Sequence, residues 1–344
     1  MKTIYSEQHI YQNSKSELAG GQLIKPYECP ERMEYILQEI NSRNLGQVLK
    51  PNSTDLKIVK KVHDSKYVKF LEQAWIEWQK EGYQGEAIPT VWPSRSMNSQ
   101  EIPSHIEGKL GYYCLANETS ISQGSVKGAY EAVKVVLTAT DMLEEEKSLF
   151  ALCRPPGHHA SKDQYGGYCF FNNVAIAAER LIEKGAKKIF ILDVDFHHGN
   201  GTQAIFYDRP DVYFASLHGD PKEAFPHFLG HANEKGDGAG EGYNINYPMQ
   251  PGTPYAEWTR ALDDVIEKIK SYQPNALLIS LGVDTYERDP ISFFKLKSDD
   301  FFDVGKKIAS CCLPTLFVME GGYAIKEIGI NTVNVLKGFE GSSS

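Results

Sequence analysis

From residue 125 onward the chain alternates short apolar runs with longer amphipathic segments, and this alternation restricts the fold more than any other feature. The runs lie at 149–152 (LFAL), 189–194 (IFILDV), 212–217 (VYFASL), 276–281 (ALLISL) and 315–319 (TLFVM). Each is strand-sized and nearly continuously apolar, the pattern of parallel strands covered on both faces. Helical candidates fall between them at 172–184, 255–272, 299–311 and 324–338. A further stripe of Val126, Ala129, Val133, Val136, Leu137 and Leu143 marks a helix over 125–146. Asn172 or Asn173 can cap the helix at 172–184, and Ser298 with Asp299 the one at 299–311. Strands joined through helices imply right-handed crossovers. The expected fold is therefore α/β, a doubly wound, mostly parallel sheet with helices on both faces.

A chain of 344 residues has room for two domains. No internal repeat or low-complexity linker divides it, so one domain over 1–344 is expected. Two segments resist a helix or strand reading. Residues 81–124, rich in Gly and Pro and carrying Trp92, Tyr112 and Tyr113, read as a long inserted loop with a functional or oligomer-contact role. Residues 218–253 read as a second loop; the glycines of GDGAGEG at 236–242 do not lie between a strand and a helix start, which argues against a dinucleotide fingerprint.

With 36 basic and 45 acidic residues the net charge is −9, which argues against binding nucleic acid and suits a small cationic substrate. The six cysteines form no CxxC, so free thiols in a reducing cytoplasm are expected. Met1–Ile10 carries no apolar signal core, and no run approaches about 20 apolar residues, so no membrane contact is expected.

The chemistry-bearing residues follow the C-terminal ends of the predicted strands, the edge where open α/β sheets place ligands. RPPGHHA with His158 and His159 follows 149–152, and Asp195, His197 and His198 follow 189–194. Asp284 follows 276–281, and EGGY with Tyr323 follows 315–319. Asp193, Asp195 and His197 are spaced i, i+2, which at a strand end puts them on one face. Asp195, His197 and Asp284 make three ligands and leave a coordination position open for water, the mark of a catalytic metal. The donor set suits Zn²⁺, and also Fe²⁺, Co²⁺ or Mn²⁺. The plainer alternative is that these carboxylates and the imidazole only cap neighbouring backbone. One imidazole of the His158–His159 pair can take the water's proton and return it to a leaving group. Tyr323, behind the Gly321–Gly322 hinge, can donate to a developing oxyanion. Neither a GxSxG elbow nor a P-loop occurs.

At RPPGHHA, DVDFHHGNGT, SLGVDTYERDP and MEGGY the sequence resembles the zinc-dependent histone deacetylase superfamily, with its arginase-like fold. GGYCFFNN, SLHGDP, FPHFLG, DPISFFKL and the 81–124 insertion resemble its bacterial acetylpolyamine amidohydrolase branch, over about residues 2 to 340. The resemblance implies zinc on Asp195, His197 and Asp284, with His159 as general base and then acid. It makes His158 a supporting imidazole paired with Asp193, and Tyr323 the group that polarises an acetyl carbonyl. It implies a structural K⁺ held by Asp193, Ser216 and main-chain oxygens of Asp195, His197 and Leu217, and a second alkali site near Phe206, Arg209 and Val212. Gly167, Tyr168, Phe225 and Ile291 would wall the substrate channel, with Glu107 and Glu118 facing a cationic substrate. Asn200 would orient His159, at a position where histone-directed members often carry Asp. The implied reaction removes acetate from acetylated polyamines or related acylated aliphatic amines, in a homodimer whose 81–124 insertions narrow the channel. Protein lysine deacetylation, a two-Mn²⁺ ureohydrolase and a silent binder of acetylated amines are the rival readings.

Overall fold

A computed structural model of the chain describes residues 1–342. Of the 341–344 tail, to which no role is assigned, residues 343 and 344 lie outside them. In chain order the strands are β1 (Lys2–Ile4), β2 (Glu17–Ala19), β3 (Gln22–Ile24), β4 (Val48–Leu49), β5 (Ser148–Ala151), β6 (Ile189–Asp193), β7 (Val212–Gly219), β8 (Asn244–Met249), β9 (Ala276–Leu281) and β10 (Thr315–Met319). The helices are α1 (Glu31–Ser42), α2 (Val59–Val62), α3 (Ser65–Lys80), α4 (Ile106–Tyr113), α5 (Ser125–Glu146), α6 (Asn173–Glu183), α7 (Asn200–Phe206), α8 (Tyr255–Tyr272), α9 (Ser298–Ala309) and α10 (Ile325–Glu340). Among the described residues, eight strands form one sheet in the order β4-β1-β5-β10-β9-β6-β7-β8. Each neighbouring pair in it is parallel.

The pleat explains the continuous apolar runs. Successive side chains point to opposite faces, so Ile189 and Ile191 of β6 enter one core while Phe190 and Leu192 enter the other. In β10, Leu316 and Val318 divide from Phe317 and Met319 in the same way. Val133 and Val136 of α5 and Ile176 of α6 cover the first face; Trp258 of α8, Phe301 of α9 and Val335 of α10 cover the second. The doubly wound expectation holds, and α6 starts as expected, with Asn172 Oδ1 accepting from Ala175 N at 3.0 Å.

Other expectations change. Ser298 is the first residue of α9 and not its cap; the Asp300 carboxylate instead accepts from Lys297 N at 2.7 Å, closing the turn from its third position. The 218–253 segment is no plain loop, because β7 continues to Gly219 and β8 pairs alongside it. Strand β8 (NINYPM) buries Asn244 and Asn246 and leaves Ile245 and Tyr247 half-exposed, inverting the usual alternation. The 81–124 insertion carries α4 and a bridge between Ala87 and Ile121. Two of its aromatics pack inward in part or whole: half-buried Trp92 donates from Nε1 to Cys114 O at 2.9 Å, and buried Tyr113 stacks on Phe70. Among the described residues no helix is long and apolar enough to cross a membrane.

Candidate active site

The segments that follow β5, β6, β9 and β10 converge at one edge of the sheet. Strand β6 ends at Asp193, so the pleat does not align Asp195 with His197. Two successive side-chain-to-backbone turns do so instead: Asp195 N donates to Asp193 Oδ1 at 3.1 Å, and His197 N to Asp195 Oδ1 at 2.8 Å. Asp284 is held by Phe196 N at 2.7 Å, and its other oxygen lies 3.0 Å from His197 Nδ1. The ligating atoms of Asp195, His197 and Asp284 all fall within 4.8 Å of one another, and all three residues are buried. Glycine is required beside them, because a Cβ on Gly282 would stand 2.0 Å from Asp195 Oδ2, and one on Gly321 2.6 Å from both Asp195 Oδ2 and Asp284 Oδ2.

The donor set fits a divalent cation. Asp193, Asp195, Asp284 and Glu320 are fully buried together. Among the described residues their charged side-chain partners are the imidazoles of His158 and His197. Burial, with the Asp195 charge beside it, pushes Asp284 up to about 7. Burial likewise raises Glu320 to about 7 and Asp193 to about 6. A cluster of carboxylates that resists ionising inside the protein is relieved by a bound cation.

The two adjacent histidines differ in electrostatics. Burial disfavours charge on His158, but Asp195 and Asp193 outweigh it and raise the ring to about 10; its Nδ1 lies 2.9 Å from Asp193 Oδ2. Burial, reinforced by the charges of His158 and His197, drives His159 well below its ordinary value. Asn200 Oδ1 lies 2.6 Å from His159 Nδ1. An amide oxygen only accepts, so Nδ1 carries the proton and Nε2 presents a lone pair. Burial pushes the Tyr323 phenol well above its ordinary range despite the opposing charge of Arg32, so its hydroxyl stays protonated. Asp289 fixes the Tyr323 backbone, accepting from its N–H at 2.7 Å.

Next to this cluster, the β6–β7 register sets Asp193 opposite Ser216. His218 Nε2 lies 2.8 Å from Gly230 O and donates to it, so His218 Nδ1 accepts from the Ser216 hydroxyl at 2.8 Å. The Ser216 oxygen thereby keeps its lone pairs for a cation. At the expected second alkali site Phe206 and Val212 are buried, and the Arg209 side chain pairs with Asp211 and Glu179.

A cavity of about 320 Å³ opens onto His159, His197 and Tyr323 and is lined by Gly167, Tyr168, Phe225, Ile291 and Glu118, all expected there. Phe225 meets His159 edge-on at 5.0 Å. Gly167 takes φ +54, and a Cβ there would stand 2.1 Å from His159 Cδ2, so the turn presses directly on the ring. Glu118 Oε1 accepts from Gly167 N at 2.5 Å, holding that turn. Glu107 does not line the cavity; it sits exposed in the first turn of α4 beside His105. Glu17 and Glu223 do line it. Sequence reasoning missed both, as it missed Glu320, which accepts from Gly157 N at 2.6 Å. Glu320 could have been found as the acidic neighbour of the GGY hinge; Glu17 has no local signal, because it arrives on a two-strand hairpin distant in sequence.

Comparison with known proteins agrees with this geometry. The histone deacetylase domain model matches residues 26–339. An acetylpolyamine amidohydrolase of Mycoplana ramosa is 54% identical, with 99% of this chain and 100% of that protein covered. Acetylpolyamine amidohydrolase 1 of Pseudomonas aeruginosa is 48% identical, with 100% of each covered. The crystal structure of an acetylpolyamine aminohydrolase from Burkholderia pseudomallei superposes with a TM-score of 0.94 at 32% identity, covering 99% of both chains. With this fold and this full-length similarity, the chain belongs to the histone deacetylase domain family and is one of its amidohydrolases.

Proposed function

We propose that this chain hydrolyses the acetyl amide of acetylated polyamines or related acylated aliphatic amines, releasing acetate and the free amine. One observation carries the reading: a neutral His159 and a protonated Tyr323 meet the Asp195–His197–Asp284 cluster at the base of an aromatic cavity into which Glu17, Glu118 and Glu223 also face. Carboxylates on the lining attract an ammonium, and aromatic walls pack its methylenes. The names of the most similar relatives support the same substrate class.

Asp195, His197 and Asp284 would hold the ion, zinc by family habit with Fe²⁺, Co²⁺ or Mn²⁺ as alternatives. When bound, such an ion supplies Lewis acidity and acidifies water. His159 Nε2 takes the proton of the attacking water and returns it to the departing amine nitrogen. The Tyr323 hydroxyl donates to the carbonyl oxygen as negative charge builds there. Burial, helped by a His158 charged by Asp195 and Asp193, keeps His159 neutral and ready to act as base. A K⁺ held by Asp193, Ser216 and main-chain oxygens of Asp195, His197 and Leu217 would steady the DVDFH turn. A reducing cytoplasm is the compartment expected, supported by six free thiols. A homodimer through 81–124 is the expected assembly, supported by the exposure of Val91, Met97 and Ile102 on the insertion, and sedimentation at micromolar concentration tests it.

The deciding experiment compares kcat/KM for acetylcadaverine and acetylspermidine with that for an acetyl-lysine peptide, using zinc-reconstituted enzyme. Strong preference for the small amines is expected. Tyr323→Phe should cost on the order of 10²-fold or more in kcat. Equal or better turnover of the peptide would make this a protein deacetylase.

A further inference from the structure

The loop bearing the histidine pair and the loop bearing Tyr323 are tied to one buried carboxylate. Glu28 Oε1 accepts from Arg154 Nε at 2.7 Å and from Arg32 Nη1 at 3.0 Å, while Oε2 accepts from Arg154 Nη2 at 3.0 Å. Arg154 opens the RPPGHH segment. Arg32 donates from Nε to Gly322 O at 2.8 Å and from Nη2 to Glu320 O, so it grips the EGGY turn from below. Its guanidinium carbon also lies 5.0 Å from the centre of the Tyr323 ring. Glu28, Arg32 and Arg154 are all buried, at 4%, 0% and 1% exposure.

We propose that Glu28 is a positioning residue for Tyr323, acting through Arg32, with Arg154 completing the clamp. The carbonyls of 320 and 322 take bonds only from Nε and Nη2 of Arg32 and leave Nη1 without a partner, and two buried guanidiniums side by side repel. The carboxylate between them takes Arg154 in a two-point fork and Arg32 through Nη1, which holds the two guanidiniums in place. Arg32 is thereby kept against the ring, and Arg154 is kept at the base of the histidine segment. The arrangement sets the distance between the proton-transfer group and the carbonyl donor, which lie on the separate segments that follow β5 and β10. Displacing one reacting group by about 1 Å can cost on the order of 10²-fold in rate. Glu28 touches no substrate and takes no proton.

The proposal rests on the reading of Tyr323 as the carbonyl donor, and a kinetic cycle keeps the two apart. Glu28→Gln is measured in the natural background and in Tyr323→Phe. In the natural background kcat should fall about 10- to 100-fold with KM within about threefold; in Tyr323→Phe the further loss should be under about threefold, because residues acting as a unit are not additive. Equal fold losses in the two backgrounds, or an unchanged kcat beside a disabled Tyr323→Phe, would overturn the clamp alone. Near-normal turnover by Tyr323→Phe would overturn the tyrosine's role and the clamp with it. Should Glu28→Gln not fold, Glu28→Asp keeps the charge, shortens the fork and enters the same cycle. A second readout needs no catalysis: in the metal-free protein, amides of 319–324 should exchange several-fold faster in the variant while those of β9 do not change. Unchanged exchange over 319–324 would overturn the proposal.

Discussion

His158 and His159 are neighbours in sequence with ring centroids 4.0 Å apart, and their surroundings separate them into an imidazole charged by Asp195 and Asp193 and one kept neutral by burial and the neighbouring charges. Asp193 faces one and Asn200 the other. Asn200 holds the His159 ring without adding charge, which leaves burial and two neighbouring cations to keep it deprotonated. Replacing that amide by a carboxylate reverses part of the balance, because an anion within hydrogen-bond distance favours imidazolium. Asn200→Asp should therefore move the acidic limb of kcat/KM up in pH, by about one unit. The direction follows because the base is lost when pH falls through its pKa, and a raised pKa brings that loss at a higher pH. A full pH–rate profile on zinc-loaded enzyme measures it, and an unmoved limb would mean Asn200 does not tune the base.

The 166–169 turn after Tyr165 is the shortest element with a direct hold on the reaction. Gly167 sits at φ +54 with no room on the His159 side, and the insertion braces it twice, through Glu118 to Gly167 N and through Thr119 Oγ1 to Tyr168 N at 2.7 Å. Gly167→Ala should push the imidazole aside and lower kcat on the order of 10²-fold or more. Gly185→Ala is the control, since Gly185 also has positive φ, +104, but open space around it. It should retain full turnover while losing about 1 kcal/mol of stability. Equal activity in the two variants would separate the turn from catalysis. The same contrast explains what the sequence made legible. Strands β5, β6, β9 and β10 declare themselves because both faces are buried, and the site follows from where those strands end. Strand β8 stays hidden because its buried face carries Asn244 and Asn246, which donate to Gln203 Oε1. Helix α4 stays hidden because its eight residues include two glycines and little apolar contrast. Glu107 lies on that helix and its resemblance-based placement in the channel depends on chain geometry that local sequence does not contain.

At the scale of the whole molecule, the parallel sheet gathers four carboxylates from β6, β9 and β10 and their following loops into one buried place, within a chain of net charge −9. That convergence couples folding to the ion the site would hold. Asp284 and Glu320, at about 7, and Asp193, at about 6, lie above their values in an unfolded chain, near 4. Between pH 4 and about 7 these three groups then bind more protons in the native metal-free state than in the unfolded one, so their contribution to stability falls as pH rises through this window. His158, raised to about 10, adds a loss in the same direction above pH 6.5. Asp195 is shifted the opposite way, largely by the His158 and His197 charges working against burial, and its contribution is lost only as pH falls below about 4. A bound divalent cation replaces the protons and removes the penalty of ionising the carboxylates. Chelation should accordingly lower the melting temperature more at pH 8 than at pH 5.5, in calorimetry of zinc-loaded and stripped protein at matched ionic strength. A gap that is constant or narrows with rising pH would show that the buried carboxylates are neutralised by some means other than the ion.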